Sequence, residues 1–399
     1  MSRYSETKKR LSGTRYTKVL VRGSTLAPID PSQGENRIDF VLPNQPGNFL
    51  QCSEVILRGE MKCDSDDRAN QNPRCLDAQQ ILQQFDFIVG GRLVEQQLNC
   101  DFSLIQKNLD GSGQLAASAA DISLLQPTDL RYTPQSIVRA TGANAVYKKF
   151  QIRLQVKKNS LFGYADEKDA KTDVMLPLFA FPRTQLTLFF KRALDVVTTD
   201  TVGQNPSYVL RNLQLSCSYI ESESLMAKMM QTGFRGVWES YSYMRMNIGT
   251  ASGGSRISLQ MPSSFASVNS VVGRFKVDGN YDETNEDRNK LGAGTVGFID
   301  SANIRLNSKR RYREDLDGFD VLRELRLNHP QAHKSSFLQQ YGVSQSHTIW
   351  SLLCGGDHFD GKFLSGYASN NSVGMFFFLF IYSHMKIIYV YLLFRWSYS

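Results

Sequence analysis

The stretch that decides the fold runs from Leu176 to Gly233. It opens Leu176-Pro-Leu-Phe-Ala-Phe-Pro-Arg-Thr-Gln-Leu-Thr-Leu-Phe-Phe-Lys191 and, after a polar loop, continues Tyr208-Val-Leu-Arg-Asn-Leu-Gln-Leu-Ser-Cys-Ser-Tyr-Ile-Glu-Ser-Glu-Ser224. Leu186, Leu188 and Phe190 alternate with Gln185, Thr187 and Phe189. Leu213, Leu215, Cys217 and Tyr219 fall on one face of the second segment, with Asn212, Gln214, Ser216 and Ser218 on the other. A period of two is the pattern of half-buried strands. A short helix follows. Ser222 or Ser224 can accept N–H bonds at its start, Leu225, Met226, Met229 and Met230 form an apolar stripe, and Gly233 supplies the positive φ that stops it. A β-domain therefore closes near Ile220, and a helical connector leads onward a little past mid-chain.

Upstream, further strands are legible. Arg37-Ile-Asp-Phe-Val-Leu-Pro43 alternates with Ile38, Phe40 and Leu42 on one face, and Ser53–Lys62 forms a second strand. Phe85–Glu95 reads as a hairpin turning at Gly90-Gly91. Asp101 opens a short helix, residues 110–146 are loop-like, and Phe150–Val156 is another strand. Beyond the connector the same order returns. Arg256-Ile-Ser-Leu-Gln-Met-Pro262 repeats the Arg37–Pro43 pattern 219 residues later, and Gly273-Arg-Phe-Lys276 repeats Gly59-Glu-Met-Lys62. Asn303–Tyr312 is a strand–turn–strand with Asn307-Ser308 where the first copy has Gly90-Gly91. Asp317–Leu327 is the next helix, with Phe319, Leu322, Leu325 and Arg326 at helical steps, and His347–Cys354 and Val373–Phe380 are late strands. Four elements in one order, offset by 214–219 residues, describe two copies of one β-domain. The offset is far longer than the roughly 20–50 residues of a solenoid repeat. About eight short strands per copy, with a helix inserted, fit a jelly roll.

The composition agrees with an ordinary globular chain: 41% hydrophobic and 21% charged residues over 399 positions, enough for two cores. The six cysteines show no metal-ligand spacing and read as buried thiols of a reducing compartment. The N-terminus has no apolar signal segment. The net charge is +8, and residues 1–25 hold seven Lys or Arg against Glu6 alone. Residues 1–35 thus read as a basic flexible arm in which Arg3, Lys8, Lys9, Arg10 and Arg15 can neutralise phosphates or meet anionic lipid headgroups. Lys309-Arg310-Arg311-x-Arg313 is followed by Glu314, Asp315 and Asp317, so local ion pairing accounts for it.

Catalytic chemistry finds no foothold. No G-x-S-x-G, H-E-x-x-H, Walker or dinucleotide fingerprint occurs. His329 and His333 flank Pro330 without a third ligand, and Asp357-His358-Phe-Asp360 reads as a loop. The expectation is a non-enzyme with no cofactor and no metal.

The order of two early strands, a hairpin, a helix, an alternating strand ending in Tyr208-Val-Leu-Arg-Asn-Leu-Gln-Leu, and a connector helix resembles the double jelly-roll major capsid proteins. These belong to tectiviruses, adenoviruses, virophages and Polinton-like elements. Asn303-Ile-Arg-Leu-Asn-Ser-Lys-Arg-Arg-Tyr312 carries the resemblance in the second half, and it spans about 36–380. It implies an all-β chain of two tandem eight-stranded jelly rolls with short inserted helices. It also implies a homotrimer of pseudo-hexameric outline tiling the icosahedral capsid of a DNA virus. Partners would be neighbouring capsomers and minor (penton) proteins, with genome or internal membrane at the basic arm, and assembly in the host cytoplasm or nucleus. The divisions are the arm at 1–35, a first roll at 36–221, a connector at 222–235, a second roll at 236–380 and an apolar tail at 381–399. The rival reading is a carbohydrate-binding or carbohydrate-active β-sandwich, for which the acidic run Asp278–Asp287 would have to supply carboxylates.

Residues 375–399 stand apart, being almost wholly Phe, Ile, Tyr, Leu and other apolar residues, broken by Ser383, His384 and Lys386. A membrane anchor, a last strand pair and a truncated or mis-spliced reading frame compete. Counted from Arg256 to Ser399, the second roll is 39 residues shorter than the first counted from Arg37 to Tyr219, which favours truncation. The expectation is an incomplete second roll, missing its last strand and leaving an open sheet edge.

Overall fold

The computed structural model describes residues 15–65, 74–75, 81–98, 137–138, 147–154, 161–162, 175–193, 196–198, 206–233, 236–247, 255–261, 265–276, 297–306, 309–310, 312–328, 349–353, 367–369, 373–381 and 387–398. They form two compact units whose main division falls after Trp238, with Ser397–Ser399 grouped with the first.

The first unit contains β1 (Arg15–Arg22), β2 (Arg37–Val41), β3 (Asn48–Gln51), β4 (Ile56–Ser65), β5 (Arg74–Cys75), β6 (Leu82–Val89), β7 (Arg92–Leu98) and β8 (Ile137–Val138). It continues with β9 (Lys148–Arg153), β10 (Met175–Pro177), β11 (Thr184–Phe190), β12 (Val197–Thr198) and β13 (Pro206–Glu221). One antiparallel sheet has β13 at its centre, with β1 on one side and β4 then β9 on the other. β3 and β10 extend it beside the end of β13. The second sheet runs β2-β11-β6-β7. Two four-stranded sheets, β1-β13-β4-β9 and β2-β11-β6-β7, are the layers of an eight-stranded jelly roll.

The alternation read from the sequence sets which faces are buried. Ile38, Phe40, Leu42, Leu186, Leu188 and Phe190 are at most 2% exposed. From the other sheet Leu57, Met61, Ile152, Leu215, Cys217 and Tyr219 are equally buried. Each large apolar side chain so buried contributes about 1.5–3 kcal/mol. The hairpin between β6 and β7 turns at Gly90 (φ 57°) and Gly91 (φ 79°), the type I′ signature that matches strand twist.

In β13 the buried parity changes. Tyr208 and Leu210 face the core, then Leu213, Leu215, Cys217 and Tyr219 do. The register to β4 jumps between Arg211 and Gln214, and Asn212 takes φ 54°. One extra residue in the strand is a β-bulge, and it keeps apolar side chains inward on both sides of the irregularity. Opposite it, Gly59 leaves room: a Cβ there would stand 2.6 Å from Leu213 Cδ2 and 3.0 Å from the Phe150 ring.

Helix α1 (Glu223–Thr232) follows directly. The Leu225 N–H donates to the Ser222 hydroxyl (3.3 Å), and Gly233 ends the helix at φ 71°. Leu225 and Met229 pack on Phe49, Met175 and Ile220, with Met226 against them. Met230, included in the apolar stripe, is instead 72% exposed. The stripe that packs is thus Leu225, Met226 and Met229, one residue narrower than expected.

The second unit contains β14 (Gly236–Asn247), β15 (Ser255–Met261), β16 (Phe265–Lys276), β17 (Gly297–Leu306), β18 (Lys309–Arg310) and β19 (Leu316–Asp317). Helix α2 (Gly318–Asn328) follows, then β20 (Ile349–Leu353), β21 (Tyr367–Ser369), β22 (Val373–Ile381) and β23 (Ile387–Tyr398). Its sheets run β14-β23-β16-β20 and β15-β22-β17-β18. Strand for strand this is the order of the first unit.

That order corrects two expectations. The second roll is not missing its last strand. β23 lies between β14 and β16, pairing with β16 from Ile387↔Lys276 to Phe394↔Val268. β22 likewise pairs on both sides, with β15 and β17. β-branched and aromatic residues, which dominate this run, are those enriched in strands. No described helix is long and apolar enough to cross a membrane. The second correction concerns residues 1–35. From Arg15 onward this stretch is not a free arm, because β1 fills the edge of β13 along eight consecutive pairs and Ile29 bridges Leu210.

Candidate functional site

Of the basic residues singled out in the sequence, Arg3, Lys8, Lys9 and Arg10 lie outside the described residues. Arg15 begins β1 opposite Glu221, with Nε 4.0 Å from Oε2 and the side chain 77% exposed. Such a solvated pair contributes little to stability. Lys18 and Arg22 follow on the same strand, both exposed. The basic character of the N-terminal region thus extends along the outer edge of the first sheet.

The segments with the strongest claim to catalysis or metal binding, Asp278–Asp287, His329, His333 and Asp357–Asp360, also lie outside the described residues, as does the helix expected from Asp101. Among the described residues no group of three His, Cys, Asp or Glu side chains could hold a metal ion. Cys52, Cys63 and Cys217 are buried thiols outside any disulfide. Burial pushes the Cys217 thiol up to about 12, against a smaller lowering by the neighbouring Tyr219 hydroxyl. Burial likewise raises the Tyr219 phenol, and the neighbouring Cys217 and Cys52 raise it further. A thiol held protonated in this way is packing rather than a nucleophile.

Polar contacts elsewhere hold strands together. The Thr187 hydroxyl donates to Asp39 Oδ1 (2.7 Å), and Gln84 and Gln96 both donate to Asp86 Oδ1. Asp39, Thr187, Asp86 and Gln96 form one row across β2, β11, β6 and β7. In the second unit Asn303, 2% exposed, donates through Nδ2 to the Tyr312 and Glu314 carbonyls and to Asp315 Oδ1 (2.8 Å), fixing the loop that leads to α2. Arg310 stands 3.6 Å from Asp315, the local ion pairing expected of the second basic run. The Asp320 N–H donates to Asp317 Oδ1 (2.7 Å), capping α2, whose Val321 is buried and whose Phe319 is 84% exposed.

At the β13 bulge Arg211 is held on two sides. Its Nε donates to Glu60 Oε2 (2.6 Å), and its guanidinium lies 3.6 Å from the centre of the Tyr147 ring. The Asn212 amide reaches the same carboxylate oxygen at 3.2 Å. A cavity of about 240 Å³ opens beside these residues, between the end of β1 and β13. The sequence does signal the bulge, because the apolar period slips by one between Leu210 and Leu213. What closes over it comes from residues 23–29, which no periodicity marks.

No protein-family model matches the chain, and no curated protein is similar to it in sequence. Solved structures are similar in fold. The PBCV-1 virus capsid matches at TM-score 0.61 and 11% identity, covering 98% of this chain and 95% of that one. The Faustovirus major capsid protein matches at TM-score 0.61 and 9% identity, covering 98% and 91%. The mavirus major capsid protein matches at TM-score 0.51 and 8% identity, covering 98% and 90%. Eight strands in one order, twice over, and this likeness along nearly the whole chain lead to one conclusion: the chain has the double jelly-roll fold of viral major capsid proteins.

Proposed function

We propose that the chain is a structural major capsid protein. Three copies assemble into a capsomer of pseudo-hexameric outline, and capsomers tile the icosahedral shell of a DNA virus. The observation that carries this reading is the duplication itself. A trimer of two-roll chains presents six similar rolls around one axis, so a closed three-fold assembly can occupy a six-fold lattice position. The likeness in fold to viral capsid proteins supports it. Neighbouring capsomers and penton proteins are then its partners, the virion its location, and the host cytoplasm or nucleus its site of assembly. The two rolls act as domains joined by the 222–235 connector.

Arg3, Lys8, Lys9 and Arg10, which precede β1 in the sequence, are the residues that contact genome or internal membrane in this reading. Arg15, by contrast, is fixed in β1. The test is the mass of the purified particle in solution. A stable species at three times the 45.1 kDa of one chain is expected. A clean monomer at all concentrations up to those of assembly overturns the reading. Replacing Arg3, Lys8, Lys9 and Arg10 with Ala should leave that mass unchanged. It should abolish salt-sensitive binding to duplex DNA or to anionic vesicles, whichever the native chain shows.

A further inference from the structure

β1 is an edge strand. It pairs with β13 along eight consecutive residues without a register shift, and among the described residues no strand lies on its other side. Alternate residues of such a strand point their N–H and C=O groups away from the sheet. The first sheet therefore ends in an uninterrupted backbone edge of eight residues.

The side chains of β1 divide between two faces. Val21 is buried, and Thr17 and Val19 are half-buried. The opposite face carries Tyr16 (64% exposed), Lys18, Leu20 (56% exposed) and Arg22, with both cations exposed. Large apolar and basic residues thus alternate at every second position. Across the ladder these four meet Ile220, Ser218, Ser216 and Gln214, none of them acidic. Glu221, the one acid of β13, stands opposite Arg15 and accepts from the Thr17 hydroxyl (3.4 Å). On β4, one strand further in, Glu60 is bonded to Arg211 and Asp64 lies 4.0 Å from Lys62. Lys18 and Arg22 make no ion pair among the described residues.

Charged side chains alone protect an edge from pairing. Tyr16 and Leu20 do the reverse, since an added strand would remove them from water. Charge then selects the strand. A second copy of β1 would bring two Lys18 and two Arg22 onto one ribbon with no acid between them, and like charges across a ladder destabilise it. We infer that the open edge of β1 captures an extended segment of another polypeptide, with acidic side chains opposite Lys18 and Arg22 and apolar ones opposite Tyr16 and Leu20. In this mode backbone hydrogen bonds supply affinity and alternate side chains supply selectivity. Every residue involved belongs to the first unit, so strand capture and the proposed trimer can fail separately.

The full chain is titrated, by fluorescence anisotropy, with a labelled, end-blocked peptide Glu-Thr-Val-Thr-Glu-Thr-Val-Thr. Its glutamates are four positions apart, as Lys18 and Arg22 are. Saturable binding is expected. N-methylation of one alternate set of its amides should abolish binding, and methylation of the other set should not, because only one set meets β1. Lys18→Glu together with Arg22→Glu should weaken binding tenfold or more with an unchanged melting temperature. The same double variant should bind the counterpart peptide with Lys in place of Glu, a recovery that a misfolded chain would not show. Absence of saturable binding, equal affinity for the two methylated peptides, or failure of the exchanged charges to restore binding overturns strand capture. So does an oligothymidylate that binds as tightly as the peptide and responds equally to the double substitution, which would make the face a phosphate site. A fall in the solution mass of the chain on the double substitution would assign the edge to a second copy and overturn it as well.

Discussion

Gly59 shows how a single position is set by its neighbours. Its strand would tolerate any residue by backbone conformation, yet a methyl group there meets Leu213 at 2.6 Å and Phe150 at 3.0 Å. Gly59→Ala should lose about 1–3 kcal/mol through overpacking, measured by urea unfolding. Leu213→Ala in the same chain should recover part of that loss, since it removes the clashing atom, and a purely additive double mutant would sink this account. Cys217 sets a pH window. Its thiol is raised from 9.0 to about 12, so the native chain holds a proton that the unfolded chain releases. Stability from this group is therefore intact below pH 9 and falls as pH rises toward 12. Cys217→Ala should flatten that part of the stability–pH curve. At pH 8 a maleimide should leave Cys217 of the folded chain unlabelled.

Helix α1 and strand β23 carry the predictions at the level of elements. α1 is held by a cap and by two buried side chains rather than by a broad stripe. Met229→Ala should cost about 2–4 kcal/mol, whereas Met230→Ala should stay within about 0.5 kcal/mol. Equal effects would mean that the helix is rotated from the orientation seen here. Ser222→Ala should cost about 1 kcal/mol through loss of the cap. β23 occupies an inner place in its sheet, with β14 and β16 on either side. Removing residues 387–399 would open two strand edges at once. The expected result is an insoluble chain, or one whose second unit has lost amide protection while the first keeps it, read by hydrogen exchange. A soluble chain with protection intact in both units would show that β23 is dispensable.

For the molecule as a whole, the first unit has its own eight strands, its own core and α1 packed on its outer face. A fragment of residues 1–235 should unfold cooperatively in urea, with β-sheet circular dichroism before the transition. A fragment without a cooperative transition would mean that the first roll depends on the second. The same fragment lacks half of the rolls that the proposed capsomer needs, so it should not form the trimer expected of the full chain.

The sequence by itself determined the fold class, the duplication and most strand faces. Alternation and turn residues are local properties, and a half-buried strand records its environment in its own side chains. Ile38–Phe40–Leu42 and Gly90-Gly91 could be read without knowing their partners. The cap at Ser222 was equally legible, as one of two neighbouring serines. The tertiary structure alone decided three things. It placed β1, whose exposed Tyr16 and Leu20 (64% and 56%) blur the alternation of an edge strand, so that a basic, Ser- and Thr-rich stretch looked like an arm. It placed β23 between β14 and β16, because an almost wholly apolar run carries no polar alternation from which its faces or its partners could be read. It also made the cavity at the β13 bulge, where Arg22, Ile38 and Arg211 meet although 15 or more residues separate any two of them. Pairing across such distances is set by which edges remain free once the local strands have formed, and no short window of sequence contains that information.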